Sequence, residues 1–109
     1  MDLILQSKRK GYNAKAKYDV EKKKFVVLKG STVSVDVAQS EKFRGAKSII
    51  STREEYVEGG IVKKNVIFKS SSTAANFVTG RSTNGMIIWK DKNGTKLKEY
   101  LLLLLIFLC

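Results

Sequence analysis

The chain has 109 residues, enough for one hydrophobic core, and its 43% apolar and 28% charged content is that of a folded domain. A net charge of +11 with no histidine and a single cysteine, Cys109, excludes Ser-His-Asp and Cys-His catalysis, thiolate metal sites and any disulfide within the chain. It points instead to a polyanionic ligand: nucleic acid, an anionic membrane surface or an acidic protein.

The charge is uneven. Residues 1–29 carry a balance of +6, residues 30–62 of −1 and residues 63–109 of +6. Two basic segments flanking a neutral middle suggest one basic face built from both ends of the chain, although solvated surface lysines explain the same count.

Residues 1–10 read as a basic lead-in. Leu3-Ile-Leu5 is too short for the apolar segment of a signal peptide, and basic residues follow rather than precede it, so a cytoplasmic location is expected. From Tyr12 to Tyr18 the chain alternates: Tyr12, Ala14, Ala16 and Tyr18 face one way, Asn13, Lys15 and Lys17 the other. This predicts a half-buried strand with a basic outer face, paired in a hairpin with a second strand over residues 25–28 that ends at Gly30-Ser31. Val33, Val35 and Val37 suggest a third short strand or edge.

Residues 46–58 have helical spacing in Ala46, Ile49, Ile50, Arg53, Tyr56 and Val57, with Gly59-Gly60 as a left-handed stop and Glu54, Glu55 and Glu58 on the solvated side. Residues 61–62 and 66–68 are strand-like. Ser70 fits an N-cap, residues 73–78 a short helix and Gly80 its end. Asn84-Gly85 predicts a positive-φ turn into a strand over residues 86–89, and residues 91–94 a further turn, after which Thr95 caps a terminal helix. The order predicts a small single α+β domain over residues 11–100, with a mainly antiparallel sheet (an N-terminal hairpin plus two or three further strands) and two or three short helices.

Residues 25–31, 53–61 and 68–89 together resemble a bacterial domain of unknown function that is appended to the C-terminus of GIY-YIG nucleases and restriction-type proteins. The run from Ser70 through Gly80-Arg-Ser-Thr-Asn-Gly85 to Trp89 is also similar to the domain associated with restriction enzymes and adenine methylases. The resemblance covers nearly the whole chain and implies recognition of DNA, modified DNA among it, in a nuclease or restriction-modification setting. Two positions depart from the pattern: Ser71 stands where the family carries proline, and Met86 where it carries tryptophan.

The residues themselves supply candidate contacts. Lys15 and Lys17, with Lys22, Lys23 and Lys24, would form a phosphate track, joined by Lys63, Lys64 and Lys90. Ser70, Ser71 and Ser72 open a helix whose N–H groups suit an anion, with plain capping as the rival role. Arg81, Ser82, Thr83 and Asn84 form a loop with no evident packing duty, in which Asn84 suits an adenine edge and Arg81 a guanine or phosphate; turn geometry alone also explains Asn84. Trp89 is either a stacking platform or, beside Ile87 and Ile88, a core residue, and core is favoured.

No paired carboxylates, metal ligands or cofactor motif are found, so the expectation is a non-catalytic binding domain for duplex DNA, without metal or cofactor. The apolar stretch 101–109 is about 14 Å as a helix, under half a bilayer's hydrocarbon, and does not span a membrane. The alternative function is a protein-interaction or dimerisation module that uses this tail to meet a nuclease domain or a second copy.

Overall fold

The computed structural model describes residues 2–9, 11–19, 21–34 and 46–108. The chain folds as α+β: a four-stranded antiparallel sheet in the order β1-β2-β3-β6, a two-stranded sheet β4-β5 and, among the described residues, four helices, of which α2 packs on the strands of the larger sheet. The strands are β1 (Asp2–Ser7), β2 (Tyr12–Asp19), β3 (Lys24–Val27), β4 (Val57–Glu58), β5 (Ile61–Val62) and β6 (Val66–Phe68). The helices are α1 (Ala46–Tyr56), α2 (Ser71–Thr79), α3 (Gly85–Ile88) and α4 (Leu97–Leu108).

Alternation fixes the sheet. Tyr12, Ala14 and Ala16 of β2 are buried while Asn13, Lys15 and Lys17 are exposed. The register carries the pattern across: Leu3 stands opposite Ala16, Ala16 opposite Val27, and Val27 opposite Val66. The buried face meets α2, whose Ala74, Ala75, Phe77 and Val78 are inaccessible to solvent. Trp89 plugs one end, its ring 4.9 Å from Phe25, while Phe77 lies 5.2 Å from Phe68.

Helix α2 is bounded as its sequence requires. Ser70 Oγ accepts from the Thr73 N–H at 3.1 Å, and Gly80 ends the helix with φ of 71°. A side chain then holds the helix's C-terminal carbonyls: Arg53 of α1 donates to Phe77 O through Nε (2.9 Å) and Nη2 (2.7 Å), and to Val78 O (3.1 Å). Its Nη1 also reaches Ser34 O at 2.8 Å, so one guanidinium joins α1, α2 and the segment before α1. Burial lowers the pKa of Arg53.

Several expectations change. Asp2–Ser7, within the stretch expected to be a lead-in, is a full strand that buries Leu3 and Leu5. The hydrophobic pair was too short for a signal segment but is long enough for an edge. Thr32 forms single bridges to Asn13 and Ile61; Val35 and Val37 lie outside the described residues. Gly59-Gly60, with φ of 60° and 78°, does not merely stop α1; it turns the hairpin between β4 and β5.

The Asn84-Gly85 turn and the strand over residues 86–89 are replaced by α3. Asn84 has φ of −92° and caps this helix by accepting from the Met86 N–H at 3.0 Å. Gly85 is needed for space rather than for positive φ: a Cβ there would lie 2.2 Å from the Ser71 carbonyl carbon. Thr95 is not the cap of the terminal helix, which begins at Leu97 with Tyr100 N–H bonded to Lys96 O. That helix continues through Leu108 and so takes in most of the apolar tail.

Candidate nucleic-acid interface

The outward face of the sheet gathers cations from four separate stretches of sequence. Residues directly opposite in antiparallel strands point to the same face. Lys15 of β2 stands opposite Ile4, and Ile4 is bridged on its other side to Lys90, which is itself bridged to Lys96. The row Lys96-Lys90-Ile4-Lys15 therefore crosses the sheet at about 4.8 Å per strand. One row along, Lys17 stands opposite Asp2 on one side and Val26 on the other; beyond it Asp19 stands opposite Lys24. Five exposed lysines share this face with Asp2 and Asp19. Between them lie the aliphatic side chains of Ile4 and Val26, half-buried, and of Ile67, which is 63% exposed.

Lys15, Lys17 and Lys90 of the predicted contacts thus come together, although Lys90 is more than seventy positions from Lys17 in the chain. The others do not join them. Lys63 and Lys64 are exposed in the connection between β5 and β6, at the far edge of the sheet. Ser70 is exposed and caps α2. Ser71 and Ser72 are half-buried under α3: the Ser71 carbonyl accepts from Trp89 Nε1 at 3.0 Å, and Ser72 Oγ accepts from the Gly85 N–H at 3.0 Å. These two serines fasten α3 to α2, which covers the helix end that the sequence offered as an anion site.

The loop after Gly80 runs back along α2. Arg81 and Ser82 are exposed near the helix C-terminus, whereas Asn84 has returned to its N-terminus. Nine residues of helix, about 13 Å, separate the Ser70 end from Arg81. Thr83 is not spare: its N–H and Oγ1 both donate to Asn76 Oδ1, at 2.8 and 3.1 Å. Trp89 is fully buried and is a core residue. Lys96 escaped the sequence reading because only its bridge to Lys90, a tertiary pairing, puts it on the open face.

Among the described residues every buried side-chain nitrogen and oxygen has a hydrogen-bond partner, and no three His, Cys, Asp or Glu side chains gather as a metal site. Asp91 is held below the usual carboxylate range by the backbone N–H of Thr95, with Tyr100, Asn93 and Gly94 adding to it. Its Oδ1 accepts from Thr95 and Asn93 at 2.8 Å each, so the carboxylate closes a turn. No helix among the described residues is long and apolar enough to cross a membrane.

A small antiparallel α+β domain with a lysine-lined open sheet face is the class of protein these features define. The chain belongs to the family described as Domain of unknown function (DUF4357), which it matches over residues 5–101. No curated protein and no solved structure matches it.

Proposed function

We infer that the chain is a non-catalytic accessory domain that holds duplex DNA on the open face of its sheet. The observation that carries this reading is the shared face of Lys15, Lys17, Lys24, Lys90 and Lys96. Lysines on a rigid sheet are point charges at fixed spacing, and each phosphate they neutralise releases condensed counterions. The aliphatic side chains between them offer no aromatic surface on which a base could stack, which favours a paired, backbone-presenting ligand over a single strand. The resemblance to domains carried by GIY-YIG nucleases and restriction-type proteins supplies the setting: a domain that keeps a nuclease or modification enzyme on its substrate. Arg81, Ser82 and the Ser70 end of α2 lie on the helical side and belong to the periphery of this reading.

Fluorescence anisotropy with a labelled duplex tests it. Five phosphate contacts give a slope of log K against log salt of about −4.5, and Lys15→Gln, Lys17→Gln and Lys90→Gln together reduce it by roughly 2.7. An unchanged slope in that triple variant overturns the assignment of the face.

A second reading is favoured by one observation. Helix α4 runs on to Leu108 through residues that are all apolar from Leu101, and Leu102 is 51% exposed. A helix apolar on every side is covered on every side when it is stable in water, so this segment suits a subunit interface with a second copy or a nuclease domain. Deletion of residues 101–109 separates the two: loss of oligomers with intact DNA affinity assigns the tail to assembly and the sheet to DNA.

A further inference from the structure

The two edges of the four-stranded sheet differ. The β1 edge is closed, because Ile4 and Lys90 exchange both backbone hydrogen bonds, at 2.6 and 3.0 Å. The β6 edge has no such partner among the described residues.

Which backbone groups β6 turns outward follows from the ladder. Leu28 N–H donates to Lys15 O at 2.9 Å, which makes Lys15 and Leu28 a hydrogen-bonded pair. Such pairs alternate along antiparallel strands, so Lys17 and Val26, two positions along, are hydrogen bonded as well. Val26 therefore directs its N–H and C=O toward β2, and Ile67, opposite Val26 on the other side, receives neither. The N–H and C=O of Ile67 point away from the sheet. Beside them α1 forms the second wall of a groove of about 360 Å³, lined by Ser48, Thr52 and Tyr56 from the helix and by residues 65–68 from the strand.

Charge selects the occupant. Lys63 and Lys64 precede β6 and Lys69 follows it, all exposed. A second copy paired edge to edge about Ile67 would bring the same three lysines of both copies onto one seam, and facing like charges destabilise strand pairs. An acidic strand meets attraction at the same positions. We propose that the β6 edge takes an extended acidic segment of a partner protein as a fifth strand, paired through the N–H and C=O of Ile67 and seated in the groove against α1. Main-chain pairing of this kind supplies affinity with little demand on sequence, while the lysines select for negative charge. The edge borders the open face, since Ile67 stands beyond Val26 and Lys17 in one row, but Lys63, Lys64 and Lys69 are not among the lysines assigned to DNA.

The test uses the full chain and a labelled seven-residue peptide that alternates valine with aspartate or glutamate. Binding followed by anisotropy is expected for the native chain and for Ile67→Thr, which keeps the backbone donor. Ile67→Pro removes only an outward N–H, a change tolerated at a sheet edge, and is expected to weaken binding at least tenfold with its circular dichroism unchanged. Should that variant misfold, the triple substitution of Lys63, Lys64 and Lys69 by glutamate reads the same surface and is expected to abolish binding. No peptide binding by the native chain, or equal binding by either disruptive variant, overturns the proposal. So does a concentration-dependent dimer that Ile67→Pro dissolves, which would make a second copy the occupant.

Discussion

The indole N–H of Trp89 donates to the carbonyl oxygen of Ser71 at 3.0 Å, joining the end of α3 to the first residue of α2 across eighteen positions of sequence. With Phe25 on its ring and Ser71 on its nitrogen, Trp89 has no face left for a ligand. The close approach of α3 to α2 that this bond needs is made possible by Gly85, whose missing side chain leaves room for the Ser71-Ser72 backbone.

Gly85→Ala is therefore expected to destabilise the domain by about 3 kcal/mol, at the upper end of overpacking costs, because the new methyl group meets backbone rather than a movable side chain. Urea denaturation of the two proteins measures it. A loss below about 0.5 kcal/mol would show that α3 shifts freely on α2, against the packing described.

Arg53 gives a second expectation. Its guanidinium serves carbonyls of Phe77, Val78 and Ser34 that no other described side chain reaches. Arg53→Met keeps the apolar stem and removes the guanidinium donors from these carbonyls, of which Val78 O keeps the Ser34 N–H at 2.8 Å, at a cost of roughly 3 kcal/mol, since bonds to charged groups are worth about 1.5–3 kcal/mol. Arg53→Lys recovers only a part, because a single ammonium cannot span three carbonyls in fixed directions. Thermal unfolding should rank the three proteins Arg, Lys, Met.

How far the sequence speaks is visible in these same residues. Period-two alternation identified β2, and capping chemistry identified both ends of α2, because each is set by neighbours in the chain. Asn84-Gly85 misled: the pair that favours a hairpin turn is also a helix cap followed by a residue small enough for close packing, and only the distant Ser71 decides between the two. Arg53 fell on the apolar side of a helical pattern without its role being legible, since its partners lie 19 to 25 positions away. For the site, the outward lysines of β2 could be read from alternation. Their junction with Lys90 and Lys96 could not, because it rests on a bridge between β1 and a segment beyond α3.

Ser70→Ala separates capping from DNA contact. The hydroxyl accepts from the Thr73 N–H and is bonded to Thr73 Oγ1 at 2.8 Å. Its removal should cost about 1 kcal/mol of stability, the usual value for a lost N-cap. The salt slope for duplex binding should stay that of the native chain, because the lysines of the open face are untouched. A slope reduced as far as in the lysine variants would move the interface to the helical side of the molecule.

The acid limb of stability has an assignable contributor in Asp91. The N–H of Thr95 holds its carboxyl below the usual range in the folded chain, and the Tyr100 hydroxyl adds to the effect. A carboxyl more acidic in the folded than in the unfolded state binds its proton less readily when folded, so it favours folding wherever the unfolded form would be ionised. That contribution is present at neutral pH and disappears as pH falls through the folded-state pKa. Asp91→Asn keeps one acceptor oxygen for the turn and removes the titration. Its melting temperature should lie below that of the native chain at pH 7, and the difference should shrink as the pH is lowered to 3. A constant difference across that range would mean that the turn, held by Gly94 at φ of 86°, gains nothing from the charge.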